Sequence, residues 1–392
     1  MKNEIIYDKM GRPDIMVTFT PEELGLPAEL KGRAVAEYCI SKYQNTLIDG
    51  VPYSLPYQKP AVNIDHDEAV RLCESKGEGW HLMTNDEWAA IALKAWTEDT
   101  IPTGNTAAGK SHSHPEQTGI EFNDSGKTLT GSGPVQWNHD RTAAGIADMV
   151  GNIWEHVGGL RFMNGQAQII PDHGAAAGAD QSASSKEWTP ILAMDGSPIY
   201  YNPIDGDIIL QPHKANEQNF DGVRFTDLLN ECDLPDQLIE LGLYPPESMD
   251  AGDYFWIDNS GERIAYRGGS WYSGGDAGLF YLYAHHGRSF SYTLIGFRSA
   301  FVRYSENLES ENLDKESEDK PAEPDSINHP SHYTSGSMES IDLMIAKYGA
   351  EAVINFCLCN VDKYTYRYKN KGGTEDLKKA RWYLNKAIEL EQ

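Results

Sequence analysis

The sequence predicts an α+β fold for most of the chain and a small all-α domain at its end. Three observations carry this. Two early helices, marked by caps and helical spacing, are followed only by short β runs and long connections, which is not a βαβ repeat. An acidic run over 306–325 then interrupts the chain. Beyond it, two segments have helical periodicity and no β pattern.

The elements follow in order. Residues 1–34 form an N-terminal segment. Residues 35–45 (VAEYCISKYQN) are β-rich with partial alternation and read as a strand. Ala69, Val70 and Cys73 give 65–76 helical spacing, and Gly77 marks its end. Thr84-Asn85-Asp86-Glu87 is a capping box ahead of WAAIALKAW, so a second helix starts there. Residues 97–145 are rich in Gly, Thr, Ser and Asn with little periodicity and read as long loops. Residues 172–186, mostly Ala, Gly, Ser and Asp, read as a mobile loop. Short β runs follow at 198–201, at 208–211 after the Asp205-Gly206 turn, and at 254–257. In the tail, 350–368 and 375–390 are helical. Leu377, Ala380, Leu384, Ala387 and Ile388 share one face there, with Thr374 as a cap.

Charge sets the organisation. The chain has 392 residues and a net charge of −26. Residues 306–325 hold nine acids and two Lys, and residues 326–392 are near neutral. The reading is therefore an acidic body at 35–305, a disordered acidic linker at 306–325 and a helical domain at 326–392. Duplex nucleic acid is not expected on the body, because phosphate repels it. No run is long and apolar enough to span a membrane. No secretory signal opens the chain, so synthesis in the cytoplasm is expected. Five Cys (Cys39, Cys73, Cys232, Cys357, Cys359) are too sparse and odd in number for a disulfide framework.

One stretch departs from the rest. Residues 268–300 read GGSWYSGGDAGLFYLYAHHGRSFSYTLIGFRSA. From Trp271 to Phe297, eight of 27 residues are aromatic, about 30% against 10% for the chain. Aromatic side chains alternate irregularly with Ser, Gly, Asp and His. Tyr brings large contact area with few rotatable bonds, and Ser, Gly and Asp bring adaptable hydrogen bonding, so the stretch has the chemistry of a binding surface. A β core with aromatic packing is the plainer reading.

Residues 145–155 (GIADMVGNIWE), 80–88 (WHLMTNDEW) and 296–300 (GFRSA) together resemble the formylglycine-generating-enzyme (sulfatase-modifying factor) branch of the C-type lectin fold. Residues 268–300 are similar to the variable region of a diversity-generating retroelement target protein of phages or prophages. The resemblance covers roughly 35–303. It implies a C-type lectin-like fold of that subtype and a reverse transcriptase that misreads template adenines, turning AAY codons into NNY codons. NNY codons encode no Lys, Glu, Gln, Met or Trp. The positions the resemblance makes variable are Ser270, Tyr272, Ser273, Asp276, Tyr281, Tyr283, His285, His286, Phe290, Tyr292, Thr293 and Leu294, and all are NNY residues. Its scaffold would be Trp271, Gly278, Leu282, Arg288, Ile295, Gly296, Phe297 and Arg298 with Asn152, Trp154 and Glu155. The variable side chains should face solvent while Trp271, Leu282, Ile295 and Phe297 are buried, and Tyr272, Tyr281, Tyr283, Phe290 and Tyr292 would anchor the ligand.

The resemblance also bears on catalysis. The enzyme branch holds copper on a pair of Cys, one directly after Gly-Phe-Arg. Ser299 stands there, and no Cys lies between Cys232 and Cys357. No catalytic residue, cofactor or metal is expected in the body. The related iron-dependent enzymes use a His-rich domain ahead of the fold, and residues 1–60 contain no His. Weaker candidates are His112, His114 and His139 for a metal, Asp148 with Glu155 as an acid/base pair, and Asp205 with Asp207 for calcium. No phosphate-binding glycine motif occurs.

The tail, through His329, His332, Tyr333, Phe356, Asn360, Lys363, Tyr364, Arg367 and 376–384 (DLKKARWYL), resembles a small phage domain family that is described as nucleotide-kinase-like. Residues 363–381 carry seven Lys/Arg with interleaved Tyr364, Tyr366 and Tyr368. His332, Asn360, Lys363, Arg367 and Lys378 are the candidates for nucleotide or phosphate, against the plainer reading of a solvated helix face. His329, His332, Cys357 and Cys359 are an alternative zinc set, at a tighter spacing than zinc sites use. The sequence thus favours a ligand-binding protein for a variable protein or glycan ligand on a host-cell surface. Virion association and, by analogy, a homo-trimer go with that reading. The alternative is nucleotide-binding activity in the tail, with the body as a targeting module.

Overall fold

The computed structural model describes residues 1–306, 350–368 and 373–391. The chain divides into two units, Met1–Glu309 and Ser310–Gln392. Among the described residues of the first, two large sheets enclose the core. One runs Lys2–Tyr7, Pro13–Phe19, Arg33–Ser41, Ser299–Tyr304, Trp80–Leu82, with Glu29–Leu30 on the flank of Arg33–Ser41. Its centre joins the two ends of the domain: Ala300 pairs with Ile40 and Val302 with Tyr38, antiparallel. The first two strands belong to this sheet, so residues 1–34 are not a separate segment as the sequence suggests. Met16, Val17 and Phe19 are buried in it, and pairing with Pro13–Phe19 covers the edge that Arg33–Ser41 would otherwise expose.

The second sheet runs Thr189–Pro190, Gln166–Ile169, Trp154–Met163, Glu262–Arg267, Leu282–Ala284, Tyr254–Asp258, Phe220–Arg224, and Ile295–Phe297 pairs in parallel with Trp154–Met163. Trp154–Met163 is buried along nearly its whole length. A smaller sheet starts with the hairpin Tyr200–Ile204 to Asp207–Gln211, whose Asp205-Gly206 turn has φ of 54° and 92°. Two positive φ values in succession are what a tight hairpin with right-handed twist requires. With the two helices, the domain is α+β, as expected.

Helix His66–Glu74 is capped by Asp65, which accepts from Glu68 N. It stops at Glu74 with Ser75 still right-handed, so Gly77 lies beyond the end that the sequence assigns to it. Helix Asn85–Thr97 starts on the expected capping box: Glu87 N donates to Thr84 Oγ at 3.1 Å and Thr84 N donates to the Glu87 carboxylate at 2.8 Å. The loop over 172–186 is packed, contrary to the sequence reading. Ala175 and Ala179 are buried against Ile170 and Trp188, because small side chains let the chain approach the body closely.

His173 in this loop lies 3.5 Å from Asp86 and 3.6 Å from Glu87, fully buried. Burial alone would lower its pKa, but the two carboxylates outweigh burial and raise it from 6.5 to about 9. A raised folded-state pKa stabilises fully below the unfolded value. Thermal melts are therefore expected to show this contribution intact below pH 6.5 and lost as pH rises through about 9. His173→Gln should flatten that alkaline limb. An unchanged profile in the variant would refute the assignment.

In the second unit, helices Ala350–Arg367 and Gly373–Glu391 pack through Val353, Cys357 and Ala387, with Ala380 also buried. The buried residues of the last helix are Asp376, Ala380 and Ala387, so Ala380 and Ala387 of the face read off the sequence are buried and Leu384 and Ile388 half-buried beside them. Leu377 is 38% exposed, and Thr374 lies within the helix. Most of the acidic linker, 307–325, lies outside the described residues. No described helix is long and apolar enough to cross a membrane.

Candidate binding surface

The stretch 268–300 is held at both ends by buried polar contacts. At its C-terminal end Arg298, fully buried, donates to Glu155 Oε2 at 2.6 Å and Oε1 at 2.7 Å, and to the carbonyls of Ser41 and Ala147. Gln44 Nε2 donates to the same carboxylate at 3.0 Å. Glu155 is thus an ion-pair partner and not half of an acid/base pair. Burial pushes Asp148 up to about 6, while its carboxylate accepts from Gly131 N at 2.6 Å. Asn152, also buried, accepts from Thr128 N and donates to Gln44 Oε1, which ties the long loops to the sheet.

In the middle, Gly278 sits where any Cβ would lie 2.1 Å from the Asp253 carboxylate, and that carboxylate accepts from Phe280 N at 2.6 Å. Arg288, nearly buried, pairs with Glu262 and Asp67. Leu282, Ile295, Gly296 and Phe297 are buried and Trp154 nearly so, as expected of a scaffold. Trp271 is only half-buried, in contrast to its expected burial. Its indole lies on Gly126, where a Cβ would meet ring atoms at 2.4 Å, and Tyr272 meets it edge-on.

Of the twelve positions read as variable, nine reach the surface. Tyr272 and Tyr292 are 52% and 46% exposed, and Thr293 is exposed. Ser273, Asp276, Tyr283, His285, His286 and Phe290 are half-buried. Three are buried and cannot present a side chain to a ligand. Ser270 lies under its own turn, with its N donating to Ser273 Oγ at 2.9 Å. Tyr281 and Leu294 fill a cluster with Trp154, Ile264, Tyr266 and Ile295. Tyr281 is therefore a core residue and not the aromatic anchor suggested by the sequence. Tyr281 precedes the paired strand Leu282–Ala284, and its N donates to the Gly278 carbonyl, so strand alternation does not set its direction.

The exposed members touch one another. His286 stacks on Phe290 at 3.6 Å between centroids and meets His285 at 4.6 Å. Phe290 stacks with Tyr292 at 6.3 Å, and Tyr283 stacks on Trp154 at 5.5 Å. Tyr272 meets both Trp154 and Trp271 edge-on. Burial first, and neighbouring His285 second, lower His286 to about 4. Burial also lowers His285. Both imidazoles are neutral at neutral pH, so neither adds charge to the aromatic face.

The sequence reading missed Phe220, Tyr254 and Trp256, which extend this face outside 268–300. Trp256 stacks with Phe220 at 5.5 Å and with Tyr254 at 5.6 Å, and Phe220 reaches His285 at 4.0 Å. A signal was present. In Tyr-Phe-Trp-Ile-Asp over 254–258, Phe255 and Ile257 are buried, so period two sends Tyr254 and Trp256 outward.

Other candidates disperse. Ser299 is buried with its hydroxyl 2.9 Å from that of Ser41. His139 is buried and accepts from Ile146 N, whereas His112 bonds Thr106 and His114 lies beside Glu116. Among the described residues no group of three or more His, Cys, Asp or Glu is placed to hold a metal. In the tail, Arg367 is held by Asp376 through two bonds of 2.9 Å. Lys363 donates to Asn360, itself buried and donating to the Phe356 carbonyl, while Lys378 is exposed. Lys363 and Arg367 both lie over the Tyr364 ring, at 4.3 and 4.7 Å from its centroid, so Asn360, Lys363 and Arg367 share one face of the first tail helix, while Lys378 is on the other helix. Cys357 is buried and Cys359 exposed. His329 and His332 lie outside the described residues.

Comparison with known proteins agrees with this architecture for part of the chain. A family model described as "Sulfatase-modifying factor enzyme 1-like domain" matches residues 28–187. Over those residues the chain is similar to that lectin-like domain. The match includes 80–88 and 145–155 but stops short of 268–300. A model described as "Protein of unknown function (DUF3310)" matches residues 327–385. No curated protein matches the chain. Among solved structures, Treponema denticola variable protein 1 aligns at 11% identity over 77% of this chain and 99% of its own, with a TM-score of 0.29. The Major Tropism Determinant P3c variant aligns at 12% identity over 77% of this chain and 63% of its own, at 0.28. The M1 variant aligns at 12% over 77% and 72%, at 0.26.

Proposed function

We propose that the large unit is a ligand-binding protein whose exposed side chains between Tyr272 and Thr293 are diversified by a retroelement, and that it has no enzymatic activity of its own. The observation that carries this is the separation of roles within one stretch. Nine NNY-class residues reach the surface while Leu282, Ile295, Phe297 and Arg298 beneath them are buried and bonded. Such a scaffold tolerates exchange at the surface, because exposed substitutions away from buried networks change stability little. The ligand is a protein or glycan on a host cell, and the protein is carried on a virion. Ser299 favours binding over oxidation, since its hydroxyl is engaged by Ser41 where the enzyme branch has a thiolate.

The test is genetic. The DNA beside the gene is expected to hold a near-copy of the codons for 268–300 that differs mainly at adenines, next to a reverse transcriptase gene. Differences should fall on the nine exposed positions. Absence of any such copy would remove the diversification reading.

A further inference from the structure

We infer that Phe220, Tyr254 and Trp256 form a constant platform beside the diversified side chains, and that this platform takes a neutral saccharide ring. The inference rests on the binding reading above and adds the ligand class. The three residues lie on neighbouring strands outside 268–300, so diversification of that stretch leaves them unchanged.

The geometry begins with Gly222, which pairs with Trp256 across the strands. A Cβ at Gly222 would stand 2.2 Å from Cδ2 and 2.6 Å from Cε2 of Trp256. Those are the ring-fusion carbons, in the middle of the indole. The ring therefore lies face-down on the glycine and stays half-buried. Phe220 and Tyr254 are inclined to that plane by only 24° and 27°. Centroids only 5.5 and 5.6 Å apart are too close for rings side by side in one plane, so the three half-buried rings are offset-stacked into a stepped row along the sheet. Tyr283 pairs in register with Trp256 from the adjacent parallel strand, and His285 touches Phe220, so the row continues into the variable face.

A stepped aromatic row with a charged edge suits a pyranose. Its C–H face gains dispersion contacts over the rings, and its hydroxyls can bond to Asp258 and Arg263 at the edge, which are themselves paired at 2.8 Å. A polyanion is disfavoured by the −26 net charge. A constant platform next to changing neighbours selects what all ligands share. Saccharide rings recur along surface polymers, whereas unrelated protein epitopes share no side chain.

The test titrates the full chain with maltotriose, cellotriose, chitotriose and mannotriose, read by tryptophan fluorescence and calorimetry. At least one is expected to bind with a Kd near ~1 mM. Trp256→Ala should weaken binding tenfold or more, and Trp256→Tyr should retain most of it. Gly222→Val, which keeps every ring but lifts the indole off the sheet, should also weaken it and decides the matter if Trp256→Ala does not fold. Thr293→Asn should re-rank the four sugars without abolishing binding. No binding by any of the four, or equal binding by Trp256→Ala and Gly222→Val, overturns the platform. If a protein ligand is found whose affinity depends on Tyr272 and Tyr292 but not on Trp256, the platform falls while the diversified surface stands. A dimer in sedimentation that Trp256→Ala dissociates would make the platform a self-interface and likewise overturn it.

Discussion

Glu155→Ala is expected to destabilise the large unit by about 3–5 kcal/mol, the usual loss when one partner of a buried ion pair is removed. Arg298 and Glu155 are both buried, and the guanidinium makes two bonds to the carboxylate. Without Glu155 the cation keeps only the carbonyls of Ser41 and Ala147. It cannot move to water, because Ile295–Phe297 on one side and Ser299–Tyr304 on the other are each paired into a different sheet. Arg298 is therefore the pin between the two sheets, at the end of the variable stretch. Urea unfolding measures the loss. The double variant Glu155→Leu with Arg298→Met should recover much of it, since both charges leave the core together. A loss under about 1 kcal/mol for Glu155→Ala would show that the pair is not buried as described.

Tyr281→Asn is expected to cost about 3–5 kcal/mol, and Tyr272→Asn or Tyr292→Asn about 0.5 kcal/mol or less. All three changes are NNY-to-NNY, so a retroelement could make each of them equally. The structure separates them. Tyr281 is 3% exposed among Trp154, Tyr266 and Ile295, and Asn there leaves a cavity with an unpaired amide. Tyr272 and Tyr292 stand half in solvent. Leu294→Asn should follow Tyr281. Thermal melts of the four single variants check this, and a Tyr281 variant as stable as the Tyr292 variant would contradict the packing. Under the diversification proposed above, exchange is expected to be tolerated at the nine surface positions and to be selected against at Ser270, Tyr281 and Leu294.

Local signals were legible wherever a few adjacent residues decide the structure. The Thr84–Glu87 capping box, the Asp205-Gly206 turn and the two tail helices are in the structure because caps, turn conformers and helical periodicity act within one or two turns. The strands of residues 2–19 were not legible, since their pairing partner at Arg33–Ser41 is itself fixed by Ser299–Tyr304, far along the chain. The platform was half legible. Alternation in 254–258 puts Trp256 outward, but only the register opposite Gly222 makes its ring lie flat.

The sequence by itself determined which side-chain types occupy 268–300, that the twelve positions read as variable are all of types NNY codons encode, and that no Cys lies between Cys232 and Cys357. These follow from chemistry and codons and need no coordinates. Only the tertiary structure decided which of the twelve positions read as variable reach the surface, that Trp271 is only half-buried, and that rings from 220–256 adjoin them. Exposure is a property of how distant strands pack, and a residue cannot carry in its own identity which neighbour will cover it.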